Sequence, residues 1–428
     1  MLDYKIKNFF FKKNIINLFF CLIPLSFIIG NFALNINLFL LLLFSLFFFK
    51  KEFFLQKKTY LDYLILVLVI NLIEINFFNE IKITHFDNVN LFLITKNFFF
   101  FRYLIFYFII QYLVEKDIIK FKNFFLACSF LCFFVSIDII YQFIFNKDIF
   151  GLVPAHPRKL SGPFGSELIA GSYLQKFFLF FISLIICVYS KKNYLIIIFV
   201  SLNLFAIILS GNRMPLILSI LSIAIYALCE IKIRKILLSS LLIFTLFFSI
   251  IYSNNSEVRH NFANFKNSGI QLSSLIFEKK INRDGLPSYF DEFESFYDTW
   301  QMNKYFGGSI RSFRIFCPYR KNININERST CNTHPHNYYL EILTEIGLIG
   351  LFIIIMIFFT IIKESIRIYI NKKYSTDFNY VIITPFLILF LVEVFPLKST
   401  GSFFSTWNST FIFLLLGSLS GFIRKMSK

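Results

Sequence analysis

The sequence predicts an all-α polytopic membrane protein with about twelve transmembrane helices and one large external loop between spans 9 and 10. Of its 428 residues, 57% are hydrophobic and only 16% are charged, and the mean hydropathy is +0.67. Soluble domains contain about 45–50% apolar and about 25% charged residues, so an ordinary soluble protein is excluded. Two further observations support this fold class: apolar segments alternate with short polar ones, and positive charge is concentrated in every second connection.

Twelve apolar segments reach or approach the roughly 17–25 residues that a helix needs to cross a bilayer. The first follows Lys12 and Lys13, as a signal peptide would. It lacks a small-residue cleavage site and further spans follow, so we interpret it as an anchor. The predicted spans are residues 14–31, 34–49, 61–78, 97–114, 122–145, 168–189, 194–210, 214–229, 235–252, 338–362, 379–397 and 403–423.

The distribution of positive charge predicts the orientation. With the N-terminus in the cytoplasm, the cytoplasmic segments carry 23 Lys and Arg residues, and the short external segments carry seven. Because Lys and Arg are enriched in cytoplasmic loops, both termini are predicted to be cytoplasmic. The net charge of +18 then belongs to these loops and does not indicate nucleic-acid binding. The chain divides into spans 1–9 (residues 1–252), an external loop (253–337) and spans 10–12 (338–428).

The cysteines divide between spans and loop. Cys317 and Cys331 are the only two of the seven in the external loop. Outside the cytoplasm a disulfide is allowed, and one closing about 15 residues stabilises by roughly 3 kcal/mol. We therefore predict this bridge, with two free thiols as the alternative. The other five read as small buried hydrophobic residues: Cys21, Cys128, Cys132, Cys187 and Cys229.

Two external segments have recognisable local character. Residues 146–167 are rich in Pro and Gly, which predicts a structured turn region. Residues 290–305 space aromatic side chains three to four positions apart, which predicts an amphipathic helix ended by Gly307 and Gly308. This helix is expected to lie on the outer leaflet or to pack on the spans. The basic residues that follow it are Arg311, Arg314, Arg320 and Lys321.

Two of the five histidines, His334 and His336, end the loop directly before span 10. Imidazole can take a proton from a hydroxyl near neutral pH, so His336 is the candidate catalytic base. Pro335 restricts His334 to an extended conformation, and Asn337 is a candidate N-cap for a helix that begins at Tyr338. Two alternatives stay open: a polar cap at the membrane boundary, or a metal site that lacks a third ligand at a recognisable spacing.

Arg213 lies in the hairpin between spans 7 and 8, Ser210-Gly-Asn-Arg-Met-Pro215. The hairpin is so short that Arg213 is expected at the outer interface, where an arginine is a candidate functional residue. Its guanidinium group suits the oxygens of a phosphate or diphosphate. Contact with lipid headgroups is the alternative. Arg158, Arg311 and Arg314 are weaker candidates for the same role, because each can be a solvated loop charge.

Several ionisable residues fall inside predicted spans. Lys176 lies about two turns into span 6, where it needs a partner or a water-filled cavity. Glu345, on the helix after His336, is expected to pair with Lys176 or another buried cation. Together with Glu393 and Arg102, these residues predict a hydrated cavity that opens outward.

The combination of arginines and a histidine favours a site for an anionic lipid phosphate and a hydroxyl nucleophile. No acidic cluster for Mg²⁺ stands beside these residues in the sequence. We therefore expect the arginines to stabilise a departing diphosphate without a metal ion.

Four segments resemble a known family. The chain resembles the O-antigen ligase/O-antigen polymerase family of polytopic membrane glycosyltransferases in the order, spacing and placement of these segments over about residues 150–365. They are Arg158-Lys-Leu-Ser-Gly-Pro-Phe-Gly-Ser-Glu-Leu-Ile-Ala-Gly-Ser-Tyr-Leu174, Ser210-Gly-Asn-Arg213, Trp300 through Phe306-Gly-Gly-Ser-Ile-Arg-Ser-Phe-Arg314, and His334-Pro-His-Asn-Tyr-Tyr-Leu-Glu-Ile-Leu-Thr-Glu-Ile-Gly-Leu-Ile-Gly350.

The resemblance implies about twelve helices in the bacterial inner membrane with a large periplasmic loop. It implies transfer of a glycan from undecaprenyl diphosphate to an acceptor hydroxyl, without nucleotide sugar, cofactor or required metal. The histidine of the family maps on His336 and its hairpin arginine on Arg213. A further loop arginine is expected at Arg314 or Arg311. In-line attack at the anomeric carbon would invert its configuration.

Three functions are weighed. A ligase would transfer the glycan to a lipid A–core sugar, and a polymerase would transfer it to a growing glycan by the same chemistry; the ligase is our preferred hypothesis. A transporter or lipid-linked glycan flippase is an alternative of another class. Its site should lie near the midplane between related halves, whereas the unusual residues here collect outside. The expected partners are the lipid-linked donor, the acceptor and membrane lipids, with no nucleic acid.

Overall fold

The computed structural model describes residues 2–49, 53, 57–78, 87–156, 159–188, 192–260, 262–263, 289–320, 331–372, 379–399 and 401–427. These residues form helices joined by turns, and no strand occurs among them. The α-helices are α1 (Leu2–Ile29), α2 (Asn31–Ser45), α3 (Tyr60–Phe78), α4 (Asp87–Glu115), α5 (Phe121–Phe145), α6 (Ala170–Phe177), α7 (Leu179–Val188), α8 (Tyr194–Leu209), α9 (Arg213–Cys229), α10 (Arg234–Asn254), α11 (Tyr289–Gln301), α12 (Phe313–Phe316), α13 (Tyr338–Lys372), α14 (Asn379–Glu393) and α15 (Thr406–Met426).

The all-α prediction is confirmed, since each predicted span overlaps a described helix. Within the described ranges, eight helical segments are long and apolar enough to cross a membrane. Three further apolar helices are shorter: α8, α9 and residues Val381–Glu393 of α14. The count of twelve crossings and the position of the loop relative to the bilayer stay predictions. The eight segments are Phe11–Ile29, Asn31–Phe48, Leu91–Glu115, Phe121–Phe145, Ala170–Val188, Ile231–Asn254, Tyr338–Asn371 and Thr406–Met426.

Helices α4 and α15 approach each other closely at two glycines. A Cβ atom at Gly417 would lie 2.9 Å from the Cβ atom of Ile110, and one at Gly421 would lie 2.6 Å from that of Val114. Small residues four positions apart allow helix backbones to approach in this way. The pair brings Arg424, near the end of α15, against the carboxylates of neighbouring helices.

Arg424 is the centre of a buried ion network. It contacts Asp62 of α3 and Glu115 of α4, each at 2.9 Å. Asp62 also accepts hydrogen bonds from Tyr107 at 3.1 Å and from Gln111 at 2.7 Å. A charge among apolar helices needs such partners, so this network fixes α3, α4 and α15 relative to one another.

Residues that the sequence assigned to opposite sides of the membrane lie at opposite ends of the helix bundle. At the Arg424 end, Lys425 pairs with the Asp117 side chain at 2.7 Å, and Lys13 donates to the Asp117 carbonyl at 2.7 Å. At the other end, the α1–α2 turn, the start of α9 and the α14–α15 connection surround one cavity. Which of these ends faces the cytoplasm stays a prediction.

The amphipathic loop helix is confirmed as α11, but it ends at Gln301 and not at the predicted glycine pair. The chain turns after α11 and runs back towards α13. Phe296 is buried against Phe313 and Cys317, whereas Phe293 and Tyr297 on the same helix remain 52% and 48% exposed. Only part of the predicted apolar face is therefore covered.

The small apolar core of the loop rests on α13. Leu340 and Leu343 pack against the cluster around Phe296. Cys317 and Cys331 are joined by a disulfide, with their Cα atoms 5.7 Å apart. The predicted bridge therefore connects the segment after α12 to the segment that enters α13.

Helix α13 is broken at Gly347, whose φ and ψ are 71° and −175°. This conformation is nearly exclusive to glycine. The break frees backbone groups that α13 would otherwise use internally, and residues 304–309 of the loop take their place. We call this arrangement the loop clasp. Its four bonds run from Gly308 N–H to Thr344 O (3.0 Å), Ser309 N–H to Glu345 O (2.8 Å), Leu348 N–H to Lys304 O (3.0 Å) and Ile349 N–H to Tyr305 O (3.2 Å).

We predict that Gly347→Ala lowers the free energy of unfolding by at least about 1–3 kcal/mol, the usual cost of such a backbone conformation in a residue with a side chain. The added Cβ would also overlap the carbonyl of Tyr305. Thermal unfolding of the purified protein in detergent measures the loss. Gly401→Ala is the matched control, because its nearest neighbour would be the Asn408 amide at 3.4 Å. Equal melting temperatures for the two variants would refute the clasp.

The disulfide generates a second prediction. A bridge between positions 14 residues apart should stabilise the protein by about 3 kcal/mol, mainly by restricting the unfolded chain. A reducing agent should therefore lower the melting temperature of the wild type. It should leave unchanged the already lower melting temperature of a variant that carries both Cys317→Ser and Cys331→Ser. A wild type insensitive to reductant would argue against a stabilising bridge.

Candidate functional site

A cavity of about 280 Å³ lies at the end of the bundle where the loop enters α13. Its walls come from α6, the first turns of α9, the α1–α2 turn, the α14–α15 connection and the start of α15. His334 contributes from the loop. Of the four in-span ionisable residues from which the sequence predicted a hydrated cavity, Lys176 lines this one, and Glu345, Glu393 and Arg102 do not.

A buried ion cluster forms one wall. A single carboxylate oxygen of Glu393 accepts from Lys176 at 2.6 Å, from Lys398 at 2.7 Å and from the Tyr338 hydroxyl at 2.7 Å. The side chains of both lysines are at most 6% exposed. Two cations therefore share one anion in the interior. The expected pair between Lys176 and Glu345 does not form, because α14 supplies the carboxylate that faces α6.

Aromatic rings complete the surroundings of the two ammonium groups. Lys176 lies 4.4 Å from the ring centroid of Phe411 and 5.3 Å from that of Trp407. Lys398 lies 4.8 Å from the ring of Tyr338. Ring faces attract cations, which offsets part of the loss of water. Burial lowers the pKa of Lys398, and the Glu393 carboxylate opposes that shift.

The histidines lie at the tip of the loop. His334 lines the cavity, and the ring of His336 lies beside it with centroids 4.5 Å apart. The Nδ1 atom of His334 is 3.0 Å from the Thr333 hydroxyl. His336 has a positive φ of 50°, a conformation uncommon outside glycine and found preferentially at functional sites. The histidine predicted as the base is therefore held next to the cavity by an unusual backbone turn.

Asn337 is the N-cap of α13, as predicted. Its side-chain oxygen accepts from the backbone N–H groups of Tyr339 at 2.9 Å and Leu340 at 3.3 Å. Its amide nitrogen donates to the carbonyl of Pro396 at 2.8 Å. The cap thus fixes the histidine turn to the α14–α15 connection.

Arg213 is the first residue of α9 and is partly buried. The next two residues, Met214 and Pro215, line the cavity. The preceding residue, Asn212, accepts a hydrogen bond from the N–H of Gly171 at 3.2 Å, which holds the hairpin against α6. Among the described residues no carboxylate pairs with Arg213. Its donors are consequently available at the edge of the cavity.

Arg311 and Arg314 lie elsewhere, around the first turns of α13. The positive charges of both residues interact with Glu341 and Glu345. Burial and the neighbouring Arg311 lower the pKa of Arg314, and the two glutamates oppose this. Glu341 in turn accepts from Ser402, which lines the cavity, at 2.5 Å. The two loop arginines therefore adjoin the cavity through Glu341 and do not line it.

The structure brings only part of the predicted site together. Lys176 and His334 line the cavity, and Arg213 lies at its edge. Arg158 lies outside the described residues. The sequence analysis missed the role of Lys398, which it counted only as an external charge. A usable signal was present, because Lys398 follows the in-span Glu393 by five residues in a short polar connection.

Residues 197–355 match the model of a known family, described as O-antigen ligase. The match supports membership of the O-antigen ligase family. No curated protein matches the chain. The match agrees with the resemblance found in the sequence and, together with the apolar helices, supports a bacterial membrane protein related to the ligase or polymerase type of glycosyltransferase.

The matched region covers only part of the candidate site. It includes Arg213, the two loop arginines and both histidines of the loop tip. Lys176, Lys398 and Glu393 fall outside residues 197–355. The buried ion cluster is therefore an observation that comes from the structure alone.

We predict that Glu393→Gln lowers the free energy of unfolding by about 3–5 kcal/mol, because two buried ammonium groups lose their common partner. Thermal or denaturant unfolding in detergent measures this effect. Glu364→Gln is the control, since Glu364 pairs with the 68% exposed Arg367 at 3.6 Å. Such surface pairs contribute about 0–1 kcal/mol. If the two variants lose similar stability, Glu393 does not hold the cluster together.

Proposed function

We propose that the protein is an O-antigen ligase-like glycosyltransferase that acts on the periplasmic face of the bacterial inner membrane, with both termini cytoplasmic. It moves a glycan from undecaprenyl diphosphate to a sugar hydroxyl of lipid A–core, without a metal ion and with inversion at the anomeric carbon. The observation that carries the proposal is the loop tip. His334 lines the cavity and its ring lies 4.5 Å from that of His336, and Arg213 directly precedes two lining residues, Met214 and Pro215. His334, His336 and Arg213 all fall in the region that matches the family.

In this proposal His336 takes the proton of the acceptor hydroxyl. The acceptor oxygen then forms a bond to the anomeric carbon while the bond from that carbon to the diphosphate oxygen breaks. Undecaprenyl diphosphate leaves with the bonding electron pair. Attack from the face opposite the leaving group inverts the anomeric carbon. A positioned base contributes about 10²–10⁴-fold to such a step.

Arg213 stabilises the negative charge that develops on the leaving diphosphate. Its side chain suits this role because it has no described carboxylate partner and sits at the edge of the cavity. Groups aimed at developing charge and already in place stabilise a transition state most effectively. Arg311 and Arg314 are proposed to contact the donor from the α13 side, where their charges interact with Glu341 and Glu345.

A polymerase would use the same residues with a growing glycan as acceptor. The side-chain geometry of the loop tip serves both reactions equally, since both require a base and a diphosphate clamp. An experiment that offers lipid A–core and the growing glycan separately therefore distinguishes the ligase from the polymerase.

We predict that the gene for this protein restores the lipopolysaccharide ladder of a Gram-negative strain that lacks its own ligase. His336→Ala and Arg213→Ala should each reduce the ladder by at least about 10²-fold, because they remove the base and the diphosphate contact. His260→Ala is the matched control and should behave as wild type. Gel analysis of lipopolysaccharide, with immunoblots for membrane protein levels, gives the result.

Further variants test which of the two loop-tip histidines is the catalytic base. His334→Phe keeps a ring beside His336 and should retain most of the activity. If His336→Ala is active and His334→Phe is inactive, the catalytic base is His334 and not His336. If the wild type gives no ladder despite normal protein levels, a polymerase-null strain tests the alternative acceptor. No glycan transfer in either strain would contradict the proposed function.

A further inference from the structure

The cavity contains hydrogen-bond donors that the protein itself does not satisfy. The side-chain nitrogen of Gln175 is buried and has no hydrogen-bond partner among the described residues. Gln175 is 2% exposed and lines the cavity. A buried polar group without a partner is unfavourable, so such groups in folded proteins call for an explanation. A ligand that accepts hydrogen bonds would supply one.

The lysines add further donors beside Gln175. Each ammonium group has three N–H bonds, and the described hydrogen bonds and ion pairs use one from Lys176 and one from Lys398, both to Glu393. Both lysines line the same cavity. The polar wall is therefore rich in donors, and its cations outnumber the one carboxylate they share. Glu167, the one carboxylate among the described lining residues, belongs to an exposed residue, where water screens its charge.

Donors that converge from separate segments require an oxygen-rich anion. Gln175 and Lys176 come from α6, and Lys398 comes from the α14–α15 connection. A cation would be repelled by the lysines, and a neutral apolar group would leave the donors unsatisfied. A phosphate group offers several acceptor oxygens and negative charge together, which matches ammonium and amide donors.

We infer that the cavity is a phosphate pocket in which Gln175, Lys176 and Lys398 bind the oxygens of a phosphoryl or diphosphoryl group. The inference rests on the proposed function, where that group is the diphosphate of the lipid-linked donor. Arg213 at the edge then contacts the same group from the α9 side. Gln175 and Lys398 are additional binding residues outside the region matched by the family.

The test is binding to the full-length protein in lipid nanodiscs, measured by isothermal titration calorimetry. The probes are inorganic pyrophosphate and geranyl diphosphate, which carry the same headgroup without and with a prenyl chain. We expect both to bind the wild type, and geranyl diphosphate to bind more tightly if the natural ligand is lipid-linked. Tighter binding of pyrophosphate would instead identify free diphosphate as the ligand of the same pocket.

Gln175→Leu is the decisive variant, because it nearly preserves the side-chain volume and removes the carboxamide, whose nitrogen has no described partner. Binding of either probe should weaken about tenfold, the usual effect of losing a hydrogen bond to a charged group. The melting temperature without ligand should equal or exceed that of the wild type. Lys398→Met should weaken binding at least as much while leaving the Lys176–Glu393 pair in place. Lys425→Met, which removes an ion pair at the opposite end, is the control and should change nothing.

The outcomes separate the pocket from the proposed function. No binding of either probe to the wild type, or wild-type affinity in both Gln175→Leu and Lys398→Met, overturns the pocket even if glycan transfer is observed. If binding weakens in both variants, the phosphate pocket is supported. If the wild type also transfers no glycan to any acceptor offered, the proposed function is overturned while the pocket stands.

Discussion

The carboxylate of Glu393 is the interaction on which the polar end of the bundle depends. It receives donors from α6, from the start of α13 and from the α14–α15 connection, through Lys176, Tyr338 and Lys398. Without these contacts two buried cations would face each other in an apolar surrounding, at a cost of several kcal/mol each. The cluster therefore fixes the three segments that frame the cavity. Because Tyr338 directly follows the capping residue Asn337, the cluster also determines where the histidine turn lies.

The opposite end of the bundle uses the reverse arrangement of charge. There Arg424 is one cation shared by two carboxylates, Asp62 and Glu115. At the cavity end two cations share Glu393, so the two buried clusters differ in the sign of their excess charge. An excess of positive charge beside orphan donors favours an anionic ligand, whereas the Arg424 cluster is enclosed by hydrogen bonds from Gln111 and Tyr107. Buried charges are paired in both clusters. The cluster at the cavity end provides a binding surface, whereas the Arg424 cluster fixes the positions of neighbouring helices.

The sequence predicted the features that depend on local composition. Each span predicted from hydropathy overlaps a described helix, and residue spacing predicted α11 and the cap at Asn337. It did not predict the partner of Lys176, since Glu393 is 217 residues away and the choice between two in-span glutamates depends on helix neighbours. Nor did it predict the break at Gly347, because the composition of Glu345-Ile-Gly-Leu-Ile349 is that of a continuous apolar helix. Only the structure shows that the loop supplies the backbone hydrogen bonds that the break removes from α13. The site was therefore predictable by residue type but not by pairing.

The loop clasp limits how the site can work. Two N–H groups of α13 beyond Gly347 bond to the carbonyls of Lys304 and Tyr305, and the carbonyls of Thr344 and Glu345 accept from the loop in return. Withdrawing these loop residues would leave the four pairs of backbone groups without their protein partners. The loop is also fixed by its apolar core on Leu340 and Leu343. The described part of the loop, residues 289–320, therefore belongs to the framework of the helices. Under the proposed function, substrates would approach a histidine turn and loop arginines that are already in place, which is the arrangement that stabilises developing charge without reorganisation.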